Sequence, residues 1–429
     1  MAGRSARGLA SALVLALAAG GCAREPSGGG PADAGAPPPD PTSSTSDTPG
    51  AKGAEPGSTA TGAGAAGTPA GAVVDPDPLP EAERRAIAGQ IAFVSERDGN
   101  PEVYLIRPSG EERRLTRSPG AEFPAAPAPD GAALLLVSVE EDAERKLHLE
   151  QLVVQPLDGG PPRAIGPRVG RARNPSWSPD GRWLAFECDV ESFSDIYRIA
   201  PDGSGLLRLT RSAEGNFEPA LSPDGAQIAF VSSRDGDPEV YRMRADGALQ
   251  QRLTAFHRED YSPRWSPDGK RLAFVSDREG RERIFVMAPD GTRLSALTSS
   301  CPAPDARGLP HAADAGASPP PRLPGEIEPT WAPDGKRIAY ITRGPGTKPR
   351  LWVADLITGA CTPVTSADQG AEAPAWSPDG RYLAFTSSRA GDPDLYLMRA
   401  DGTGQTRLTH AKGSDWLPRW IPPARRVAR

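Results

Sequence analysis

One unit of about 44 residues recurs along this chain, and it limits the fold more than any other feature. Pro-Asp-Gly turns stand at Asp130, Asp180, Asp224, Asp268, Asp334 and Asp379, separated by 50, 44, 44, 66 and 45 residues. The copy from Ser262 to Thr298 shows the grammar. Pro-x-Trp-Ser-Pro-Asp-Gly is followed by Leu-Ala-Phe-Val, a charged Gly turn, Ile-Phe-Val-Met, a second Asp-Gly and a final Leu-Thr. Short β-branched or aromatic runs bounded by Gly, Pro and Asp read as four antiparallel strands joined by hairpins. A period near 44 with four strands per unit is that of a β-propeller blade.

The count predicts an all-β, seven-bladed propeller. Second-strand runs begin near Ile91, Leu134, Leu184, Ile228, Leu272, Ile338 and Leu383. The first of these has no Pro-x-Trp strand before it, and the chain ends on a surplus one, Pro418-Arg419-Trp420-Ile421-Pro422. These two remnants complete each other, so the C-terminal strand is expected to pair with the N-terminal blade and close the ring. Closure removes two sheet edges that would otherwise invite aggregation. The long intervals locate two irregularities on one face of the disc: an extended hairpin around Glu140 to Leu147, and an insertion at residues 299–325.

Outside the propeller, assigned to residues 81–423, the reading is compositional. Residues 1–22 carry Arg4 and Arg7, an apolar run from Leu9 to Ala19 too short to span a bilayer, and Ala19-Gly20-Gly21-Cys22, the pattern of a lipoprotein-type signal. Cys22 is the expected lipidation site, with the ordinary cleaved signal as the alternative. Residues 23–80 hold no aromatic residue and too few aliphatic ones to offset ordering entropy. They are expected to form a disordered tether of about 40 Å root-mean-square span. Residues 424–429 are a tail. The expected location is therefore exported and anchored by lipid, at the periplasm-facing outer membrane or the surface of a bacterium.

Four of the turn motifs carry a family likeness: Pro175 to Gly181, Pro263 to Gly269, Pro329 to Gly335 and Ala375 to Gly380, each followed by Ala-Phe or Ala-Tyr and later by Leu-Thr or its counterpart. They resemble the WD40-like propeller repeat of the TolB family. The likeness covers roughly residues 88 to 423. It implies a propeller that binds other envelope proteins or peptides. The family pattern is six blades behind a small α/β domain, whereas seven units are counted here.

What recurs in every blade is expected to build the disc. The Trp slot holds Trp177, Leu221, Trp265, Trp331, Trp376 and Trp420, with Pro127 in the second unit, and is assigned to packing between blades. Arg97 with Glu102, Arg234 with Glu239, Arg278 with the acid shifted to Glu282, and Arg389 with Asp394 are expected to pair across a hairpin, at about 0.2–1 kcal/mol each.

Recognition is sought where blades differ. Eight residues before each turn Asp stand Glu122, Asn216, Asp260, Glu326 and Asp415, with Ala172 and Ala371 as exceptions and Glu372 beside the latter. Near the channel mouth these form a candidate acidic funnel, with His257, Tyr261 and Trp416 beside it, for a basic peptide, cation or ammonium group. The alternative is that the acids cap turns.

The formal net charge of −6 argues against nucleic acid. No Gly-x-Ser-x-Gly, His-Glu-x-x-His or phosphate loop occurs in the propeller, and no hydrolase domain is expected after it. The expected function is a non-catalytic, monomeric scaffold for an envelope protein or peptide on the loop face, touching the membrane only through its lipid. No cofactor is expected. A calcium ion in the channel has no ligand set behind it, and Asp235, Asp237 and Glu239 are too few for a calcium loop. The enzyme alternative is a metal-dependent lyase using His148, His257, His311 or His410 on the loop face. Cys188, Cys301 and Cys361 leave an odd count, and no bridge is assigned.

Overall fold

The computed structural model describes residues 77–424 apart from 143–146, 168–169, 191–192 and 299–324. The signal and lipidation site at Cys22, most of the tether, the insertion with Cys301 and His311, the side chain of His148 and most of the tail lie outside these residues. The described chain forms seven four-stranded antiparallel sheets.

Blade 1 is closed as the leftover strands required. β1 (Gln90–Ser95) is followed by β2 (Glu102–Ile106) and β3 (Glu112–Arg114), and its inner edge is taken by β28 (Asp415–Ile421), with Ile91 opposite Trp420 and Ser95 opposite Asp415. The inner strands of blades 2 to 7 are β4 (Ala121–Pro127), β8 (Ala172–Trp177), β12 (Asn216–Leu221), β16 (Asp260–Trp265), β20 (Gly325–Trp331) and β24 (Ala371–Trp376). In blade 2 the irregular interval is used to lengthen one hairpin. β5 (Ala133–Asp142) and β6 (Leu147–Pro156) pair over their whole length.

The blades are locked by their turns and their tryptophans. At the Pro-Asp-Gly turn, Ser178 Oγ donates to Asp180 Oδ1 at 2.7 Å, and the same carboxylate accepts the Arg182 N–H at 3.1 Å. Asp224, Asp268 and Asp379 repeat this arrangement, an Asx-type turn that sets the inner hairpin. The indole N–H of Trp177 donates to the Ala126 carbonyl, that of Trp265 to Ala220, that of Trp331 to Arg264 and that of Trp376 to Thr330. Each bond crosses to the preceding blade, so the Trp slot is a packing device.

Every inner strand carries a bulge next to a proline. The residue before it adopts positive φ in six blades: Asn174 (47°), Glu218 (53°), Ser262 (55°), Glu328 (57°), Ala373 (51°) and Leu417 (58°). In blade 2 the same position is Pro124, whose ring fixes φ negative. Non-glycine residues in this region cost about 1–2 kcal/mol each. Four of the freed N–H groups donate to the preceding blade: Glu218 to Glu187, Ser262 to Glu218, Ala373 to Glu328 and Leu417 to Thr386 Oγ1.

A short element not anticipated from sequence ties the N-terminal side to the ring. Helix α1 (Glu81–Ala86) directs Glu83 at Arg399 (2.5 Å), and Tyr382 Oη donates to the same carboxylate at 2.9 Å. Just before the helix, Leu79 is buried among Tyr382, Leu395, Leu397 and Leu408. Its N–H donates to Thr406 Oγ1 at 2.7 Å. This clasp fastens residues 79–86 onto blade 7, beside the seam where the ring closes.

Cysteine chemistry is divided between two sites. Cys188 remains a buried thiol, pushed up to about 12 by its burial, while Cys361 is disulfide-bonded to a partner outside the described residues.

Candidate functional site

Three of the arginines that follow the second strands reach the inner strand rather than across their own hairpins. Arg97 reaches inward to Asp415 (2.9 Å), Arg278 grips both oxygens of Asp260 (3.0 and 2.8 Å), and Arg234 donates to Asn216 Oδ1 (2.8 Å). Each Nε donates to the serine that ends the second strand, Ser95, Ser276 or Ser232. Each guanidinium lies over an aromatic ring of the third strand, Tyr104, Phe285 or Tyr241, with centroid distances of 4.5, 4.5 and 4.8 Å. The serine and ring turn the arginine toward the inner strand. The third-strand acids expected as its partners meet the fourth strand instead. Glu102 pairs with Arg114, Glu239 with Arg252 and Asp394 with Arg407, and Asp195, at the same place in blade 3, pairs with Arg208. The Thr of Leu-Thr donates to the same carboxylates. Glu282, expected beside Arg278, accepts instead from Tyr261 Oη at 2.6 Å.

These partnerships place the mouth residues. Asp260, Asn216 and Asp415 are fully buried at 0% exposure, and Glu122 and Glu326 are also buried. Glu326 accepts from Thr298 Oγ1 at 2.6 Å and from the Ile284 N–H at 3.2 Å. Trp416 is buried against Phe123, with ring centroids 5.7 Å apart. Glu372 is on the surface, paired with Arg343 at 2.7 Å, and His257 is exposed in the link from blade 4 to blade 5. The positions stand at, or within a few residues of, the starts of inner strands. Most of their side chains are spent within the blades, and Glu372, Tyr261 and His257 are the members that reach solvent.

A second constellation lies deeper, on the axis. All seven inner strands line one cavity of about 570 Å³. Four charged side chains enter it: Glu218, Arg264, Glu328 and Arg419. The two carboxylates are also the acceptors for bulge N–H groups, Glu218 from Ser262 at 2.6 Å and Glu328 from Ala373 at 3.0 Å. Glu187 extends the chain by accepting the Glu218 N–H at 2.6 Å.

Burial pushes the Glu218 carboxyl up to about 8, with Glu187 adding repulsion and Arg264 opposing it. Glu328 is pushed up to about 7 by burial and by Glu372, with Arg343 and Arg419 opposing. Burial also lowers both arginines, Arg419 to about 10. Sequence reasoning passed these four by. Their signal was a charge at the residue before the strand proline or at the x of Pro-x-Trp, in strands otherwise bound for the core.

The raised carboxyl has a pH consequence. Below its ordinary pKa, near 4.5, Glu218 is protonated in both folded and unfolded chains. Between that value and about 8 the unfolded chain gives up the proton while the folded one keeps it, so stability falls across this window. Melting temperature should decline from pH 5 to pH 8.5, and Glu218→Gln should flatten the decline. An unchanged slope in the variant would remove Glu218 as its source.

Comparison with known proteins agrees with this architecture. The family model described as TolB beta propeller domain matches residues 144–305 and 325–428, more than half of the chain. The chain belongs to the TolB β-propeller family. The Tol-Pal system protein TolB of Bordetella pertussis is 39% identical over 102 residues, 24% of this chain and 23% of that one. The chain spans less than half the length of the curated relatives it matches. Among solved structures, a puromycin hydrolase S511A mutant complexed with PGG is similar at a TM-score of 0.57 and 17% identity, covering 77% of this chain and 53% of that one. An oligogalacturonate lyase in complex with manganese is similar at 0.52 and 16%, covering 75% and 85%. At such identities the likeness concerns the fold alone, which TolB-family propellers share with enzymes of several kinds.

Among the described residues no group of three or more His, Cys, Asp or Glu is placed to hold a metal. His257 and His410 are exposed, in the links that follow blades 4 and 7.

Proposed function

We propose that this TolB-family chain is a non-catalytic binding scaffold of the bacterial cell envelope, held to a membrane by a lipid on Cys22, with an envelope protein or peptide docking on the loop-bearing face. The observation that carries the reading is the exposure of large apolar side chains on that face. Phe193, in the hairpin of blade 3, is 50% exposed, and Phe256, beside His257, is 46% exposed. A partner covering such side chains gains about 25 cal/mol per Å² of apolar surface removed from water. Glu372, Tyr261 and His257 supply polar groups at the same level, where they would fix orientation rather than supply most of the affinity. The family supports the reading, since a relative bears the name of a Tol-Pal system protein.

The mature chain, immobilised, should retain a defined partner from solubilised envelopes. Combined Phe193→Ser and Glu372→Gln should abolish retention with little change in melting temperature, because both side chains are about half exposed and Glu372 holds only a surface ion pair. Equal retention would place the docking surface elsewhere. Labelled fatty acid should enter the wild-type protein and be absent from Cys22→Ser; an unlabelled wild type would end the lipid anchor.

A further inference from the structure

We propose that the central cavity is a binding site for a small dianion, a phosphate or a compact dicarboxylate, gripped between Arg264 and Arg419.

The two arginines occupy the x position of Pro-x-Trp in blades 5 and 1, where the other blades place Ser176, Ala220, Thr330, Ala375 and Ala126. Blades 5 and 1 stand nearly opposite each other in a ring of seven, so the side chains enter the cavity from opposite walls. Each guanidinium has five donors, and among the described residues each makes one protein hydrogen bond. Arg264 Nη1 donates to the Pro263 carbonyl at 3.0 Å, and Arg419 Nη1 to the Pro418 carbonyl at 3.1 Å. Among the described residues no carboxylate lies within ion-pair distance of either. The other core arginines, by contrast, are engaged: Arg97, Arg114, Arg173, Arg208, Arg252 and Arg278 each hold a buried acid.

Electrostatics favours an anion over a cation. Glu218 and Glu328, the acids of the same cavity, already accept backbone N–H groups from the next blade, so their lone pairs are partly spent on the fold. Burial and neighbouring acids favour their neutral forms, while Arg419, lowered by burial to about 10, stays charged at neutral pH and Glu218 favours the charged form of Arg264 against its burial. Arg264 and Arg419 repel one another across the cavity. An oxyanion between them would remove that repulsion and satisfy donors on both forks. Guanidinium matches carboxylate and phosphate oxygens in bidentate fashion. The volume of about 570 Å³ lies within the range of small-molecule sites.

Titration calorimetry on the mature protein, with inorganic phosphate and succinate in separate arms and potassium chloride at matched ionic strength as control, tests the assignment. Phosphate, succinate or both should bind with saturation and raise the melting temperature, while chloride should do neither. Binding in one arm alone identifies the geometry of the dianion. Arg264→Gln and Arg419→Gln should each weaken binding about ten-fold or more. Where a Gln variant fails to fold, Arg264→Lys or Arg419→Lys keeps the charge, loses the fork and should still weaken binding. No saturable binding in either arm up to millimolar concentration, or equal binding in folded arginine variants, would overturn the proposal. In that case the pair serves only to balance Glu218 and Glu328.

Discussion

Asp260→Ala should cost about 3–5 kcal/mol of stability, read as a fall in the urea midpoint at constant slope. Asp260 is fully buried and holds both of its oxygens on Arg278, which lies under Phe256, Phe274 and Phe285. Alanine would leave that guanidinium charged in the core. The loss should be greater here than at other blades, for a reason visible in the repeat. Arg234 and Arg389 have a second partner sixteen residues downstream, Gln250 and Gln405. Arg97 likewise has Glu112. The equivalent of those residues in blade 5 is Leu294, which offers nothing to a cation. Asp260→Asn should be mild, about 1 kcal/mol, because blade 4 places Asn216 in the same slot and Arg234 still donates to it. Equal losses for Ala and Asn would show that charge balance, rather than the hydrogen-bonded partner, sets the cost.

Trp331→Ala should cost a further about 3–5 kcal/mol, the range for deleting a large buried aromatic group. Its ring is 9% exposed, its N–H crosses to the Arg264 carbonyl of the preceding blade at 3.1 Å, and Arg271 lies over its face at 5.1 Å. The cavity left behind would open between blades 5 and 6 and break one inter-blade bond. Trp331→Leu should cost less, since Leu221 fills this slot in blade 4 without a polar tip. Thermal or denaturant unfolding of both variants decides the matter. A loss below about 1 kcal/mol for alanine would mean the slot is filler rather than a joint between blades.

The outcome at the mouth shows where sequence reasoning stops. Position alone identified Asp260, Glu326 and Asp415 as a set, correctly placed at the start of inner strands. It did not reveal that Arg278 and Arg97 would turn inward, because that depends on Ser276 and Ser95 holding Nε and on the aromatic ring beneath the guanidinium. Charge reversal at these acids therefore bears on blade stability first and on recognition second. Phe193 and Glu372 are cleaner probes of docking, since both are about half exposed and neither holds a buried charge.

The blade count, the ring closure and the turn geometry were determined by the sequence alone. Each rests on information spaced within one repeat or on the arithmetic of leftover strands: Pro-Asp-Gly turns, alternating apolar runs, and β28 completing β1. The tertiary structure alone decided what the centre of the disc contains. Glu218, Arg264, Glu328 and Arg419 are scattered over some two hundred residues, and each looks like an isolated charge in a strand. Only ring closure brings them to one axis, where burial suppresses the carboxylates and leaves two guanidiniums facing each other. Local pattern specifies which residues form strands; convergence of distant side chains, and the dielectric they create together, is a property of the closed ring.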